Sequence, residues 1–330
     1  MSGKFDRLAD SLNASAEAQL SESELFEFAE YDERAAEQRE YSNYAYWAST
    51  WRAFTKNKAA MALLIFLCAL LAFTMVQPFL PNQKSPTEIY LDPQTGRQDR
   101  NHQPDAEYWF GTNAIGQDLW ARIWSGTRTS LLIGLAVGLW NALIGIAVGA
   151  LWGYVRRLDG LITEIYNVIH NIPPSIILIL ASYILRPGVG TMIMAMCFTG
   201  WLQMARFVRN QIVIIRDREY NLASRCLGTP TRRLIIKNLL PYLVSVIMLR
   251  IALAIPQAIG MEVFLTYIGL GLPVSIPSLG NLINEGRIVM MSPLTRYQLI
   301  FPAMALSAIT VSFYVMGNAF ADAADPKNHT

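Results

Sequence analysis

Arg218-Glu-Tyr-Asn-Leu-Ala-Ser-Arg-Cys-Leu-Gly-Thr-Pro-Thr-Arg-Arg-Leu-Ile-Ile-Lys-Asn-Leu-Leu-Pro241 is a basic segment lying between two apolar runs of membrane length. From Asp217 to Leu227 the residues favour helix. Gly228 suits a left-handed stop, Thr229 an N-cap and Pro230 the first position of a second helix. The reading is two short helices meeting at a fixed turn. Between Arg206 and Lys237, eight basic residues oppose only Asp217 and Glu219, so the hairpin belongs on the polar side of a bilayer.

The rest of the chain sets the fold class. Apolar residues make up 53% of the 330 and charged residues only 16%. Several apolar stretches reach the roughly 20 residues a helix needs to cross hydrocarbon. An all-α integral membrane protein follows. The net charge of +2 decides nothing about partners, because bases and acids are segregated along the chain. Cys68 and Cys197 fall inside apolar runs and Cys226 in the basic segment, which fits small packing residues and not a disulfide framework.

Six spans are predicted, over Ala59–Leu80, Ser130–Tyr154, Ile165–Leu185, Gly188–Ala205, Tyr242–Tyr267 and Tyr297–Phe320. Arg52, Lys56 and Lys58 precede the first span, Arg156 and Arg157 follow the second, and the basic segment follows the fourth. The positive-inside bias therefore expects both termini and residues 206–241 in the cytoplasm and residues 81–129 outside. The division is an acidic cytoplasmic tail over 1–58, a first helix over 59–80, the outer loop, a five-helix core over 130–320 and a cytoplasmic end over 321–330. The polar start of the chain gives no cleavable signal peptide, so the first span is expected to be an uncleaved anchor. The tail has two readings, a solvated segment and a contact for a cytosolic partner.

Polar groups inside the spans need satisfaction. Glu164, Asn167 and Asn171 share a face just before Pro173-Pro174. Either they line a water-filled path or they sit among the headgroups. Arg250 and Glu262 interrupt the fifth span. Twelve residues apart, or about 18 Å along a helix, they cannot pair with each other. Asn167, Asn171, Arg250 and Glu262 are thus candidates for a translocation path or an interface. Small residues at Gly134, Gly138 and Ala142, then Gly145, Gly149 and Gly153, form a ridge for close helix packing, within the chain or against a second subunit. The run Tyr267–Gly280, rich in glycine and proline, is expected to form a structured outer loop.

Several chemistries lack their residues. No Gly-x-x-x-x-Gly-Lys-Ser/Thr loop is present to cradle nucleotide, and no His-Glu-x-x-His or Gly-x-Ser-x-Gly. An intramembrane enzyme could use Glu164, His170 or Glu262 as acid or base, but no two carboxylates stand at helical spacing in one span. His170 has no second His or Cys at ligand spacing, so no metal site is expected. The basic hairpin has two readings, an anionic lipid patch and a protein groove. Its defined turn, with Tyr220, Leu222 and Leu227 as apolar anchors, favours the groove, because a lipid patch requires no such shape.

Ala223-Ser-Arg-Cys-Leu-Gly228, followed by Pro241, resembles the EAA loop of ABC importer permeases. Phe110-Gly-Thr-Asn-Ala-Ile-Gly-Gln-Asp118, Arg122, Gly126-Thr-Arg-Thr-Ser-Leu131, Glu262, Gly269-Leu-Gly271 and Pro277-Ser-Leu-Gly280 are similar to segments of oligopeptide and dipeptide importer permeases, in the same order. The likeness runs from about Trp51 to Pro326 and is greatest to the second permease subunit of oligopeptide importers. Leu222 replaces the acidic residue of the EAA motif, its alanine pair is Ala223-Ser224, Asn238 stands where isoleucine is preferred, and Asn113 and Gln117 stand where Asp and Arg are often found.

The resemblance implies a type I ABC importer permease fold in the bacterial cytoplasmic membrane. It implies a non-catalytic subunit that moves oligopeptides by alternating access. The implied partners are a homologous permease, two cytosolic ATP-binding subunits holding ATP and Mg, an extracytoplasmic peptide-binding protein and membrane lipid, with no nucleic acid and no cofactor in this chain. Glu219, Tyr220, Leu222, Ala223, Ser224, Arg225, Leu227, Gly228, Thr229, Pro230 and Pro241 would form the ATPase-coupling loop. The alternatives are a permease for dipeptides, nickel chelates or signalling peptides, and, in another class, a stand-alone channel or secondary transporter.

Overall fold

The computed structural model describes residues 46–93, 95–185 and 187–324. The chain divides into two compact units, Met1–Ala48 and Ser49–Thr330. The acidic tail up to residue 45, and residues 325–330, lie outside the described residues.

The described elements are helices joined by loops. They are α1 (Tyr46–Lys56), α2 (Lys58–Val76), α3 (Leu119–Tyr154), α4 (Arg156–His170), α5 (Pro174–Ile184), α6 (Val189–Ile215), α7 (Glu219–Cys226), α8 (Thr231–Arg233), α9 (Leu240–Tyr242), α10 (Val244–Tyr267), α11 (Leu279–Val289) and α12 (Tyr297–Ala324). Among the described residues, four helices are long and apolar enough to cross a membrane: α2 with the short turn after it, α3, α10 and α12. The bent pair α4 and α5 makes a fifth if it counts as one span. The helix α6 is not among them, because Gly200, Gln203 and Arg206 dilute its apolar composition.

Three expected spans change shape. The second begins at Leu119, where the Asp118 side chain accepts a hydrogen bond from the Ala121 amide at 2.8 Å. Its 36 residues make a helix of about 54 Å, well beyond a hydrocarbon core of about 30 Å. The third is not one helix, since α4 and α5 meet at a bend of 69°. Proline has no amide hydrogen and a fixed φ, so Pro173-Pro174 ends one helix and starts the next. The fourth extends ten residues beyond Ala205 to Ile215, which places Arg206 and Arg209 on helix.

The glycine ridge of α3 packs within this chain, along two neighbours. A Cβ on Gly134 would stand 2.9 Å from Ile259 Cγ1 of α10, and one on Gly149 would stand 2.8 Å from Val208 Cβ of α6. Only a missing side chain permits that approach. Two cores result. Ile255 and Ile259 of α10 pack with Leu131 of α3 and Phe313 of α12. Val208, Ile212 and Ile215 of α6 pack with Tyr154 and with Leu234, Ile235 and Leu239.

The long loop between α2 and α3 folds on itself through isolated bridges at Leu91–Gln98 and Thr112–Asp118. Phe110 stacks on Phe301 of α12 at 4.2 Å, and the Tyr297 hydroxyl lies 2.7 Å from the carbonyl oxygens of both His102 and Thr112. The run expected as a structured loop after α10 turns at Gly269, φ +81°, and leads into α11, a helix the sequence reading did not anticipate.

Candidate functional site

The hairpin forms as read, with one shift. The helix α7 ends in a turn where Gly228 has φ +78°, its amide donates to the Arg225 carbonyl at 2.9 Å, and the Thr229 amide donates to Ser224 at 3.1 Å. The second helix begins one residue later than expected. Pro230 is its N-cap, with extended backbone, and Thr231 its first residue, so Thr229 belongs to the turn. A π-helical stretch over Leu234–Leu239 then carries the chain into the core.

This construction leaves one arm anchored and the other bare. Leu234, Ile235 and Leu239 are buried, whereas Tyr220 and Leu222 are exposed and Leu227 is 86% exposed. Glu219, Ala223, Gly228, Pro230 and Pro241 are also exposed, and Ser224, Arg225 and Thr229 are half-buried. The apolar residues of the hairpin therefore fall into two sets, one packed inward and one facing out, the latter comprising Tyr220, Leu222 and Leu227 of the first arm and Ile236 of the second.

Two residues the sequence reading left without a role hold the first arm in place. Asn221 is buried, and its Nδ2 donates to the Ile215 carbonyl at 2.8 Å, tying α7 back to α6. Asp217 receives Arg156 at 3.2 Å, Arg216 at 3.3 Å and Arg225 at 3.6 Å. Partial desolvation raises the Asp217 carboxyl, but the hydrogen bond and charge of Arg216, with the charge of Arg156, outweigh it and hold the group below the usual carboxylate range. An acid flanked on both sides by arginine, Arg216 and Arg218, was the available signal.

The intramembrane candidates separate. Glu262 is fully buried and accepts hydrogen bonds from Ser130 at 3.0 Å, Thr266 at 3.3 Å and Ser278 at 2.7 Å. It joins α3, α10 and the start of α11, and the other helix that its charge required is supplied by this chain. Asn167 and Asn171 lie on the exposed side of α4 and its end, and neither lines the cavity described next.

Arg250 does line a cavity, of about 180 Å³, between α3, α5, α6 and α10. Its guanidinium lies 4.4 Å from the centre of the Phe207 ring. Asn141, Thr199, Gln203 and Gln257 face the same space. The reading from sequence missed these amides, although amides inside apolar runs are themselves a signal.

The segment Phe110–Asp118 forms a polar joint. Arg122 is buried beside Glu285 of α11 at 2.7 Å and also donates to Gln117 Oε1. Asn113 Nδ2 donates to Glu285 at 3.3 Å and to Gln117 at 3.0 Å. Burial pushes the Glu285 carboxyl up, opposed by the Arg122 charge. Asn113 and Gln117 thus work as neutral partners in a network that already holds one buried cation.

Fold and site define a multi-pass membrane subunit that presents a shaped basic hairpin with exposed apolar side chains, and a cavity among its helices that carries one cation and several amides. The comparisons agree. The family described as binding-protein-dependent transport system inner membrane component matches residues 142–329, and the N-terminal TM domain of oligopeptide transport permease C matches residues 45–104. The oligopeptide transport system permease protein AmiD of Streptococcus pneumoniae (strain ATCC BAA-255 / R6) is 37% identical, over 93% of this chain and 98% of its own. The dipeptide transport system permease protein DppC of Bacillus subtilis (strain 168) is 37% identical over 89% and 90%, and the oligopeptide transport system permease protein OppC of that organism is 33% identical over 92% and 97%. The chain belongs to the family of binding-protein-dependent transport system inner membrane components. It is an ABC transporter permease, a multi-pass protein of the bacterial cytoplasmic membrane.

Proposed function

We propose that this permease carries oligopeptides into the cell by alternating access, as one half of a pair with a homologous permease subunit. Its relatives are permeases of oligopeptide and dipeptide transport, which supports peptide as the cargo. An extracytoplasmic peptide-binding protein delivers it. ATP and Mg are held by two cytosolic ATP-binding subunits, since this sequence has no phosphate loop. On this reading the fold is that of a type I importer with six spans: α2, α3, the bent pair α4 and α5, α6, α10 and α12. Both termini and the hairpin are cytoplasmic and the long loop lies outside.

The observation that carries the reading is the hairpin itself. A turn set by Gly228 presents Tyr220, Leu222 and Leu227 to solvent while the arm after it is built into the core through Leu234 and Leu239. A push on the exposed arm is thereby passed to α6 and α10 as rigid-body motion. Glu219 to Pro230, with Pro241, form the coupling loop.

The test is peptide-stimulated ATP hydrolysis by the reconstituted assembly carrying Gly228→Pro. Proline cannot adopt φ +78°. Stimulation is expected to disappear while the two permeases still co-purify. Full stimulation in that variant would overturn the coupling role.

A further inference from the structure

We propose that Arg250 holds the C-terminal carboxylate of a peptide in transit, while the side-chain amides of Asn141, Gln203 and Gln257 receive its backbone groups. This rests on the peptide reading above.

Arg250 is the only charged residue among the described residues that line the cavity. It is exposed, and among the described residues no carboxylate lies within ion-pair distance of it. The face of Phe207 solvates the guanidinium in part, leaving donors in its plane without acceptors. A planar cation with free donors facing a cavity fits a carboxylate better than any neutral group.

The neighbours suit a peptide chain. Gln257 lies two turns beyond Arg250 on the same face of α10, about 10 Å along the axis. That is the length of roughly three extended residues. Asn141 lines the cavity, and among the described residues its Oδ1 has no hydrogen-bond donor, so a turn of the side chain would offer an unpaired acceptor to a peptide amide. Gln203 is exposed to the cavity. Every peptide ends in a carboxylate and repeats the same amide, whatever its side chains. A cation with amides therefore grips peptides without selecting sequence.

The experiment uses the full assembly in vesicles, supplied with its binding protein. The probes are two labelled peptides, identical except that one ends in a carboxylate and the other in a carboxamide. With Arg250→Gln, import of the free acid is expected to fall by about tenfold, the scale of losing a hydrogen bond to a charged group. Carboxamide import should stay near the wild-type rate, and Arg250→Lys should recover part of the free-acid rate. Any preference of the binding protein is common to wild type and variants and cancels in the comparison. An equal fall for both peptides, with loss of the co-purifying permease, would overturn the proposal and make Arg250 an ion-pair partner of that subunit. Unchanged import of both would also overturn it. A wild-type assembly that imports neither peptide would overturn the peptide reading itself, and this proposal with it.

Discussion

Arg122 on α3 is buried against Glu285 on α11, with guanidinium and carboxylate 2.7 Å apart. The pair closes the network of Asn113 and Gln117 and so fastens the long loop and α11 to the same helix. Removing one partner of a buried pair leaves the other charge without compensation, at about 3–5 kcal/mol for a fully buried pair. Glu285 retains 26% side-chain exposure, so Glu285→Ala is expected to cost nearer 2–3 kcal/mol. Thermal unfolding of the solubilised assembly would show it as a lowered midpoint. A midpoint unchanged from wild type would mean water already serves Arg122.

The glycine ridge offers a contrast within one protein. Gly149→Val places methyl groups where Val208 and the α6 backbone already stand, and is expected to cost about 1–3 kcal/mol through overpacking. Gly160 on α4 has nothing within 4 Å of an added Cβ, so Gly160→Ala should be neutral or stabilise by up to about 1 kcal/mol through helix propensity. Unfolding midpoints of the two variants, measured side by side, should move in opposite directions or not at all for Gly160.

In the long loop His102 stands between Asp99 at 3.0 Å and Asp105 at 2.8 Å. Desolvation lowers its pKa, but the hydrogen bonds its ring N–H groups donate to Asp105 and Asp99 prevail and raise it above the usual 6.5. A raised histidine stabilises the fold fully below its unfolded pKa, and that contribution is lost as pH rises through the folded value. Asp105 is held low, first by the Tyr108 amide and then by His102, so its contribution is present above its ordinary value and lost as pH falls through the lowered one. The loop should be tightest between those limits. Amide exchange over residues 99–112 should quicken as pH passes above the His102 pKa, after correction for intrinsic rates, and His102→Gln should remove that step.

Leu227 projects from the hairpin with 86% of its surface bare. Leu227→Asp is expected to leave stability within about 0.5 kcal/mol of wild type, as for other exposed substitutions. Co-purification of the ATP-binding subunits with this variant should fall at least tenfold, because a carboxylate would enter an apolar contact. Retained ATPase with normal stoichiometry would place the docking contact elsewhere on the hairpin.

Some of this was legible residue by residue. The left-handed turn at Gly228 follows from a glycine set before Thr229-Pro230, and the close packing of α3 from small residues repeated every four. Both depend on neighbours in sequence. The same local rules misplaced the N-cap by one residue and did not give the 69° bend between α4 and α5, because the direction a chain takes after a double proline is set by what the second helix packs against.

An α-helical membrane subunit with a shaped basic hairpin is thus written in the order of the residues. Helix length, turn chemistry and apolar content are properties of contiguous residues, and the solvent acts on them directly. What each polar group is for emerged only when the helices packed. Packing supplied Glu262 with three hydroxyl partners from three elements, set Arg122 against Glu285, and left Arg250 facing a cavity with amides from α3, α6 and α10. A charge in a span announces that it needs a partner, but the partner comes from distant sequence, and only the folded chain brings the two together.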